Sequence, residues 1–330
     1  MSLKELIVNK NDSSRRLDKF IFKCFDGLPA SLVYKFIRTK RIKVNGKRAK
    51  ENLMLKEGDR VLVFLPADFD APAEPGRANM RKPSGKVKIC YEDENILIAD
   101  KEKGLLCHSG GNERSDTLID RIQAYLIEKG EYNPKEENSF SPSLCNRIDR
   151  NTEGLVIAAK NAESLRVMNE IIKRREAEKY YLAACHGIFK RKKGGMVSYL
   201  KKNSASNTVY VSTTPNPGAK TSLLDYEVIA EDKDKDLSLL KINLKTGRTH
   251  QIRAQLSQAG HPLLGEGKYA VNKRDRACGF YSQALCSWEI KFCFNSDKGA
   301  LNYLNGLRVR AEKPDFIRLF SAMTVQFPGE

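Results

Sequence analysis

The segment NRIDRNTEGLVIAA, residues 146–159, places a charged turn directly before a strongly apolar run. The run LVIAA is typical of a buried strand, and Gly154 at its start predicts a tight turn that holds Asp149 at the strand edge. Asp149 lies between Arg147 and Arg150, and positive charge nearby favours the ionised form of a carboxylate. From these residues alone, Asp149 is either a surface ion pair with its neighbours or a group with a chemical role.

The pattern around this segment alternates between strands and helices. It predicts strands at residues 86–90, 95–100, 154–159, 179–186, 223–230 and 237–244, and helices at residues 117–129, 164–175 and 249–258. Strands dominate, with helices between them. We therefore predict an α+β domain on a mixed sheet over residues 87–330.

The N-terminal part of the chain has a different pattern. It predicts helices at residues 16–26 and 31–41, the second capped by Ser31, and then a short strand at residues 42–44. The pair Asn45–Gly46 suits a type I′ turn into a basic return strand, and a further strand follows at residues 60–65. We predict a small helix–helix–hairpin module over residues 1–67. A linker rich in Pro, Gly and Ala, residues 68–86, separates it from the second domain.

The charge of the chain favours a polyanionic partner. Its 58 Lys and Arg residues against 41 Asp and Glu residues give a net charge of +17. Residues 1–67 hold 16 basic and 7 acidic residues, so +9 of that charge lies in the predicted module. A run with no acidic residue contributes most of it: Lys35, Arg38, Lys40, Arg41, Lys43, Lys47, Arg48 and Lys50. A solvated helix face is the alternative interpretation, but nucleic acid is the partner that such a cluster favours.

Membrane and metal functions find little support in the sequence. No apolar run approaches the ~20 residues that span a bilayer, and no basic amphipathic segment has the apolar face of a membrane-surface helix. The first residues lack the apolar region of a signal peptide, so we expect the cytosol. The eight cysteines are scattered without a CxxC pair, which predicts reduced, packed thiols and no structural zinc.

Three further segments carry candidate functional residues. In LKTGRTHQIRAQLSQAGHP, residues 244–262, Thr249 is a candidate cap for a helix that ends before Gly260, and Arg253 on that helix suits orienting a carboxylate. Capping or phosphate contact is the alternative for these residues. In KYYLAACHG, residues 179–187, adjacent tyrosines on a strand face opposite sides, so one is core and the other can face a cleft.

The third segment is ILIADKEKGLLCHSGG, residues 96–111. His108 and the glycine pair after it give a loop able to approach a ligand. A structural histidine is the alternative interpretation of His108.

Taken together and in this order, the motifs resemble the RluA-type pseudouridine synthases over nearly the whole chain. That family's HRLDR-x-T-x-G signature appears here as Asn146 to Gly154, its GRTHQIR signature as Gly247 to Arg253, and its Lys-x-Tyr-x-Ala segment as Lys179, Tyr181 and Ala183. The N-terminal module resembles the S-four RNA-binding domain. The arrangement and the loop at residues 107–111 resemble the RluC branch, which modifies large-subunit ribosomal RNA. The sequence departs from the family pattern at Asn146, at Ile148 and at Asp100-Lys101-Glu102.

The resemblance implies a fold and a set of site residues. The second domain would have a mixed, mostly antiparallel sheet with flanking helices. Asp149 would be the nucleophilic aspartate, Tyr181 the active-site tyrosine, Arg253 the ion-pair partner of Asp149, and Arg147 the side chain that fills the space of a flipped uridine. The candidate RNA-binding residues are Lys35, Arg38, Lys40, Arg41, Lys43, Lys47, Arg48, His108, Arg150, Arg248 and His250.

The expected function is therefore isomerisation of uridine in large-subunit ribosomal RNA, by a monomer without metal or cofactor. Transfer RNA is the alternative substrate. A non-catalytic RNA-binding protein of ribosome assembly has no need of the Asp149, Tyr181 and Arg253 set. A metal-dependent nuclease would have clustered carboxylates, whereas the neighbours of Asp149 are arginines.

Overall fold

A computed structural model describes residues 2–25, 27–65, 84–109, 116–203 and 206–321. Most of the predicted linker, residues 68–83, lies outside the described residues, as do Asp26 and the glycine pair after Ser109. No helix in these described ranges is long and apolar enough to cross a bilayer.

The N-terminal residues form a four-stranded antiparallel sheet with two helices. Its elements are β1 (Ser2–Ile7), α1 (Leu17–Cys24), α2 (Ala30–Arg38), β2 (Ile42–Val44), β3 (Lys47–Arg48) and β4 (Arg60–Leu65), and the strand order is β1-β4-β2-β3. Asn45 and Gly46 have φ values of 50° and 74°, which confirms the predicted turn. The sequence pattern missed β1, an edge strand that buries neither face fully. The predicted cap was wrong, because α2 begins after Pro29 and has no side-chain cap.

A cluster of polar contacts joins this part of the chain to the rest. The Asn138 side chain donates to Ile7 O and to Asp12 Oδ2, both at 2.7 Å, and Ser139 Oγ donates to Asp12 Oδ1. Asn9 Nδ2 donates to Glu137 Oε2 at 2.9 Å. We call Asn9, Asn11, Asp12, Glu137, Asn138 and Ser139 the polar latch. Asp12 is completely buried in it, so the latch is a packed contact between the two parts.

The second part is built on one large mixed sheet. Its strands are β5 (Lys88–Glu92), β6 (Ile96–Lys101), β7 (Ser143–Leu144), β8 (Glu153–Ala159), β9 (Ala177–His186), β10 (Lys193–Asn203), β11 (Thr208–Ser212), β12 (Lys220–Asp232), β13 (Leu237–Leu244), β14 (Leu285–Phe292) and β15 (Arg308–Arg310). The order is β11-β10-β12-β13-β9-β14-β8-β6-β5, with β15 beside β14 and β7 beside β8. Among the described strand pairs only β14 and β8 are parallel. The predicted α+β class and mostly antiparallel sheet are confirmed.

Helices cover the two faces of this sheet. They are α3 (Leu118–Glu128), α4 (Ala162–Lys173), α5 (Gln251–Gln258) and the short α6 (Lys273–Ala277), with 3₁₀ helices at Gly299–Leu304 and Asp315–Phe320. One apolar core, centred on Trp288, packs against α4 and the 3₁₀ helices, and the other, centred on Ile242, packs against α3 and α5. The sequence pattern missed β7, β10, β11, β14 and β15.

Two local predictions near the site were wrong. Gly154 lies within β8 and not in a turn: with φ at 108° it pairs with β14 so closely that a Cβ would come within 2.2 Å of Ser287 O. The residue before α5 is His250, in the left-handed region at φ 52°, so Thr249 does not cap the helix. Gly260 follows this helix in the left-handed region, at φ 84°, as predicted.

Candidate active site

A pocket of about 520 Å³ opens where the start of β9, the end of β13 and the N-terminus of α5 meet the turn that carries Asp149. Asp149, Tyr181, Arg253, Arg147 and His250 all line it. The candidate residues from three separate sequence segments are therefore neighbours in space.

The Asp149 carboxylate pairs with α5 and not with its neighbours in sequence. Arg253 Nη1 donates to Asp149 Oδ2 at 3.1 Å, and the aspartate side chain keeps 22% of its surface exposed. Arg150 points elsewhere, with Nε donating to Gly104 O at 3.0 Å. Arg147 lines the pocket without a carboxylate partner in the described part of the chain. Asp149 therefore does not form a surface ion pair with Arg147 or Arg150, which was one of the two alternatives from the sequence.

The Arg253 guanidinium lies between two carboxylates. Its Nε and Nη2 donate to Glu266 at 2.8 and 2.7 Å, and the Glu266 side chain has no exposed surface. Glu266 also accepts hydrogen bonds from the backbone of Lys268 and Tyr269. Glu266 was not predicted from the sequence, because the segment around it has no periodicity and no spacing that links it to Arg253.

His250 lies between Asp149 and the Tyr269 hydroxyl, at the end of a short chain of hydrogen bonds that begins at Val209. Val209 N donates to the Tyr269 hydroxyl at 3.0 Å, and the same hydroxyl is hydrogen-bonded to His250 Nδ1 at 2.8 Å. The other ring nitrogen, His250 Nε2, lies 3.9 Å from Asp149 Oδ2. Burial lowers the pKa of His250, although the charge of Asp149 acts in the other direction, so the neutral form is the relevant one.

The two adjacent tyrosines of β9 face opposite sides of the sheet, as predicted. Tyr181 is 5% exposed, belongs to the core with α5 and forms a wall of the pocket, where its hydroxyl is hydrogen-bonded to Ser287. Burial raises the pKa of Tyr181, so its hydroxyl is protonated at neutral pH. Tyr180 lies on the other face, where its hydroxyl donates to Glu178 at 3.0 Å.

Basic side chains surround the pocket. Its lining includes Arg147, Lys173, Arg175, Lys179, Lys245 and Arg248. Only Arg147 and Arg248 were predicted as site residues. Arg248 Nε donates to Thr221 O at 3.2 Å. Lys179 was quoted only as part of the family's Lys-x-Tyr-x-Ala segment, without a role. Lys173, Arg175 and Lys245 were missed, because a single lysine or arginine at a helix or strand end has no distinctive sequence signal.

The remaining predicted RNA-binding residues lie outside this pocket. His108 is exposed on its loop, and partial desolvation of the imidazole ring, together with the charge of Arg147, lowers its pKa. Six cluster residues (Lys35, Arg38, Lys40, Lys43, Lys47 and Arg48) lie on α2, the following turn and the β2–β3 hairpin, without a carboxylate partner among the described residues. Arg41 stacks over the Phe36 ring at 5.4 Å.

The departures from the family signature have structural roles. Asn146 Oδ1 accepts a hydrogen bond from Ile157 N at 2.8 Å and so supports β8. Lys101 Nζ donates to three carbonyl oxygens, those of Glu102, Leu105 and Arg150, at 2.8 to 2.9 Å. Burial lowers the pKa of Lys101 to about 8. Among the residues with assigned positions, no group of three or more His, Cys, Asp or Glu side chains could hold a metal ion.

Comparisons with known proteins identify the class. Residues 95–258 match the family model for RNA pseudouridylate synthase, and residues 15–61 match the S4 domain. A Mycoplasma capricolum protein named as an uncharacterized RNA pseudouridine synthase is 35% identical over 316 residues, which cover 95% of this chain and 98% of that one.

Ribosomal large subunit pseudouridine synthase C of Escherichia coli is 28% identical over 276 residues, 83% of this chain and 82% of the relative. The solved structure of human RNA pseudouridylate synthase domain containing 4 has a TM-score of 0.54 at 18% identity over 70% of this chain and 90% of that one, which shows the shared fold. The chain belongs to the RNA pseudouridine synthase family. It is an RNA-modifying isomerase with an S-four RNA-binding domain.

Proposed function

We propose that this enzyme converts specific uridines of large-subunit ribosomal RNA into pseudouridine, with Asp149 as its catalytic carboxylate. The observation that carries the proposal is the Asp149–Arg253 ion pair, 3.1 Å long, in a basic pocket with Tyr181 as one wall. The similarity to the Escherichia coli enzyme named for the large ribosomal subunit supports ribosomal RNA as the substrate.

The reaction requires the uridine to leave its stack. The bond between C1′ and N1 breaks, the base turns, a bond forms between C1′ and C5, and the hydrogen on C5 is released. Extruding a nucleotide costs a few kcal/mol. Arg147, exposed at the pocket without a carboxylate partner in the described residues, is positioned to enter the vacated space and offset part of that cost.

Asp149 has one oxygen available for the nucleotide. Oδ2 accepts the hydrogen bond from Arg253, whereas Oδ1 has no hydrogen-bond partner among the described residues. A carboxylate stabilises the electron-deficient sugar carbon that develops as a glycosidic bond breaks. Arg253 fixes the orientation of that carboxylate, and it is itself fixed by Glu266.

Tyr181 acts by stacking on the detached base. Its ring is a wall of the pocket, and an aromatic face provides a surface on which uracil can turn. Because burial raises the pKa of its hydroxyl, Tyr181 is a poor proton acceptor at neutral pH. These observations support a stacking role better than a role in removing the proton from C5.

The N-terminal residues supply RNA affinity apart from the pocket. We assign residues 1–67 to the RNA-binding domain, 68–86 to the linker and 87–330 to the catalytic domain. The basic cluster on α2 and the hairpin, together with His108, Arg150, Arg248 and His250 around the active site, would contact RNA as the enzyme acts, as a monomer in the cytosol.

The substrate is tested with the purified full chain and unmodified transcripts of ribosomal RNA and transfer RNA, by tritium release from 5-tritiated uridine. We expect turnover on large-subunit ribosomal RNA. Mapping pseudouridines in a strain that lacks this protein identifies the positions. Turnover on transfer RNA alone would assign the alternative substrate, and turnover on neither would reject the proposal.

A further inference from the structure

The turn after α4 and the start of β9 place two cations, Arg175 and Lys179, at the pocket, and no described carboxylate pairs with either. Arg175 and Lys179 both line the pocket that contains Asp149. Neither side chain has an ion-pair or hydrogen-bond partner among the residues with assigned positions. The neighbouring Arg174 differs, because it points away from the pocket lining and pairs with Glu170 at 2.7 Å.

Arg175 occupies a backbone position that favours glycine. It follows the C-cap of α4 and has φ at 63°. At the same position after α3 and α5 the chain has Gly130 and Gly260, with φ values of 77° and 84°. A Cβ disfavours this conformation, so the arginine at the end of α4 makes the fold less stable than glycine would. A non-glycine residue in the left-handed region at a pocket is an observation from which function can be inferred.

Lys179 adds a second, independent cost. It lies two residues before Tyr181 on β9, so both side chains point to the same side of the sheet. Burial lowers the pKa of Lys179, and no anion offsets that effect. A partly buried ammonium group without a counter-charge destabilises the folded chain.

Both residues therefore cost stability and direct positive charge toward one pocket. We propose that Arg175 and Lys179 form a phosphate-binding subsite for the RNA backbone next to the extruded uridine. The proposal rests on the proposed function, because it takes RNA as the ligand. A guanidinium binds two phosphate oxygens at once and a lysine adds a point charge, whereas uracil is neutral before its bond to the sugar breaks.

Each residue of this subsite should lower the stability of the fold and raise its affinity for RNA. A residue with an ordinary structural role would raise stability instead. Arg175→Gly relieves the strained backbone and Lys179→Met removes the buried charge, so both variants should unfold at a higher temperature than the wild type. Both should nevertheless bind RNA about tenfold more weakly, with a salt dependence lower by about one charge each. Arg174→Ala is the matched control and should change neither affinity nor salt dependence.

The experiment measures the affinity of the full chain for an unmodified large-subunit ribosomal RNA transcript between about 50 and 200 mM KCl. Thermal unfolding of each variant is measured beside it. Unchanged affinity and salt dependence in Arg175→Gly and Lys179→Met would overturn the subsite. So would a lower kcat at unchanged affinity, which would indicate a contact with the reacting base. Tritium release by the wild type on the same transcript is measured separately. Its absence would reject ribosomal RNA as the substrate and would leave the phosphate-binding subsite to be decided by the affinity measurements.

Discussion

Glu266 accepts hydrogen bonds from Nε and Nη2 of Arg253, at 2.8 and 2.7 Å, and leaves Nη1 to face Asp149 at 3.1 Å. The glutamate has no exposed surface, and backbone N–H groups of Lys268 and Tyr269 also bind it. A guanidinium held in this way has one orientation. The contact with Asp149 is thus set before RNA binds.

Glu266→Gln should impair both catalysis and folding. The amide has one acceptor oxygen where the carboxylate has two, so Nε and Nη2 of Arg253 no longer each have an oxygen to bind. The substitution also leaves Arg253 buried with a single counter-charge. We expect kcat to fall by about 10- to 100-fold and the free energy of unfolding to fall by about 3 kcal/mol. Urea unfolding and tritium release measure the two effects. Glu170→Gln removes an exposed carboxylate from a surface pair and should change stability by less than about 1 kcal/mol. Equal effects of the two substitutions would contradict this prediction.

The same pair predicts a dependence of stability on pH. Burial disfavours the ionised form of Glu266, but Arg253 and two backbone N–H groups outweigh burial, so the pKa of Glu266 lies below its usual value of 4.5. Below pH 4.5 the unfolded chain therefore takes up a proton that the folded chain does not. The stability difference between wild type and Glu266→Gln should be full at neutral pH and should shrink as the pH falls below about 4.5. A difference that stays constant between pH 7 and pH 4 would refute the ion-pair origin.

Asp149→Asn should abolish pseudouridine formation and leave RNA binding largely intact. The amide keeps the shape of the side chain but cannot stabilise positive charge on the sugar. Tritium release measures turnover, and filter binding measures affinity. Asp234→Asn, in the exposed turn between β12 and β13, is the control and should keep full activity. Residual turnover in Asp149→Asn would show that another group carries the chemistry.

Deleting residues 1–67 should weaken RNA affinity and flatten its salt dependence while residues 87–330 stay folded. The basic cluster of the module leaves with the deletion, so fewer counterions are released when RNA binds. Affinity at several salt concentrations and the thermal unfolding of the truncated chain test the two parts. A salt dependence equal to that of the full chain would show that the module does not bind RNA.

The polar latch should hold the module against the catalytic domain in solution. Replacing both Asp12 and Asn138 by alanine removes the buried carboxylate and a donor that also reaches Ile7. We expect a larger radius of gyration by small-angle X-ray scattering, with the same unfolding transition of the catalytic domain. Asn133→Ala removes a hydrogen bond within the same loop, to Glu136, and should leave the radius unchanged. An unchanged radius in the double variant would contradict a docked module.

Sequence patterns predicted the features that depend on local chemistry. The Asn45–Gly46 turn, the buried strand β8 and helix α3 each depend on residues adjacent in the chain. The resemblance to a family linked Asp149 with Arg253, which are 104 residues apart. Strands β10 and β11 were missed because much of their surface is exposed and their periodicity is weak.

Glu266 and Arg175 show why the rest of the site was not predicted. Arg253, the partner of Glu266, lies 13 residues earlier in the chain, and the irregular segment after α5 has no periodicity that would predict the contact. Arg175 looks like an ordinary residue at a helix end, and only its φ value reveals that glycine would suit the position better. The contact of Glu266 and the backbone angle of Arg175 exist only in the folded chain, so sequence patterns do not reveal them.

The docked N-terminal module has a consequence for target choice. If the hairpin and the Asp149 pocket belong to one rigid body, the enzyme recognises two points of the RNA at a fixed distance from each other. A uridine is modified only where the folded transcript offers a backbone segment at one contact and an extrudable base at the other. The three-dimensional shape of the RNA, more than the nucleotide sequence around the uridine, would then determine which uridine is modified.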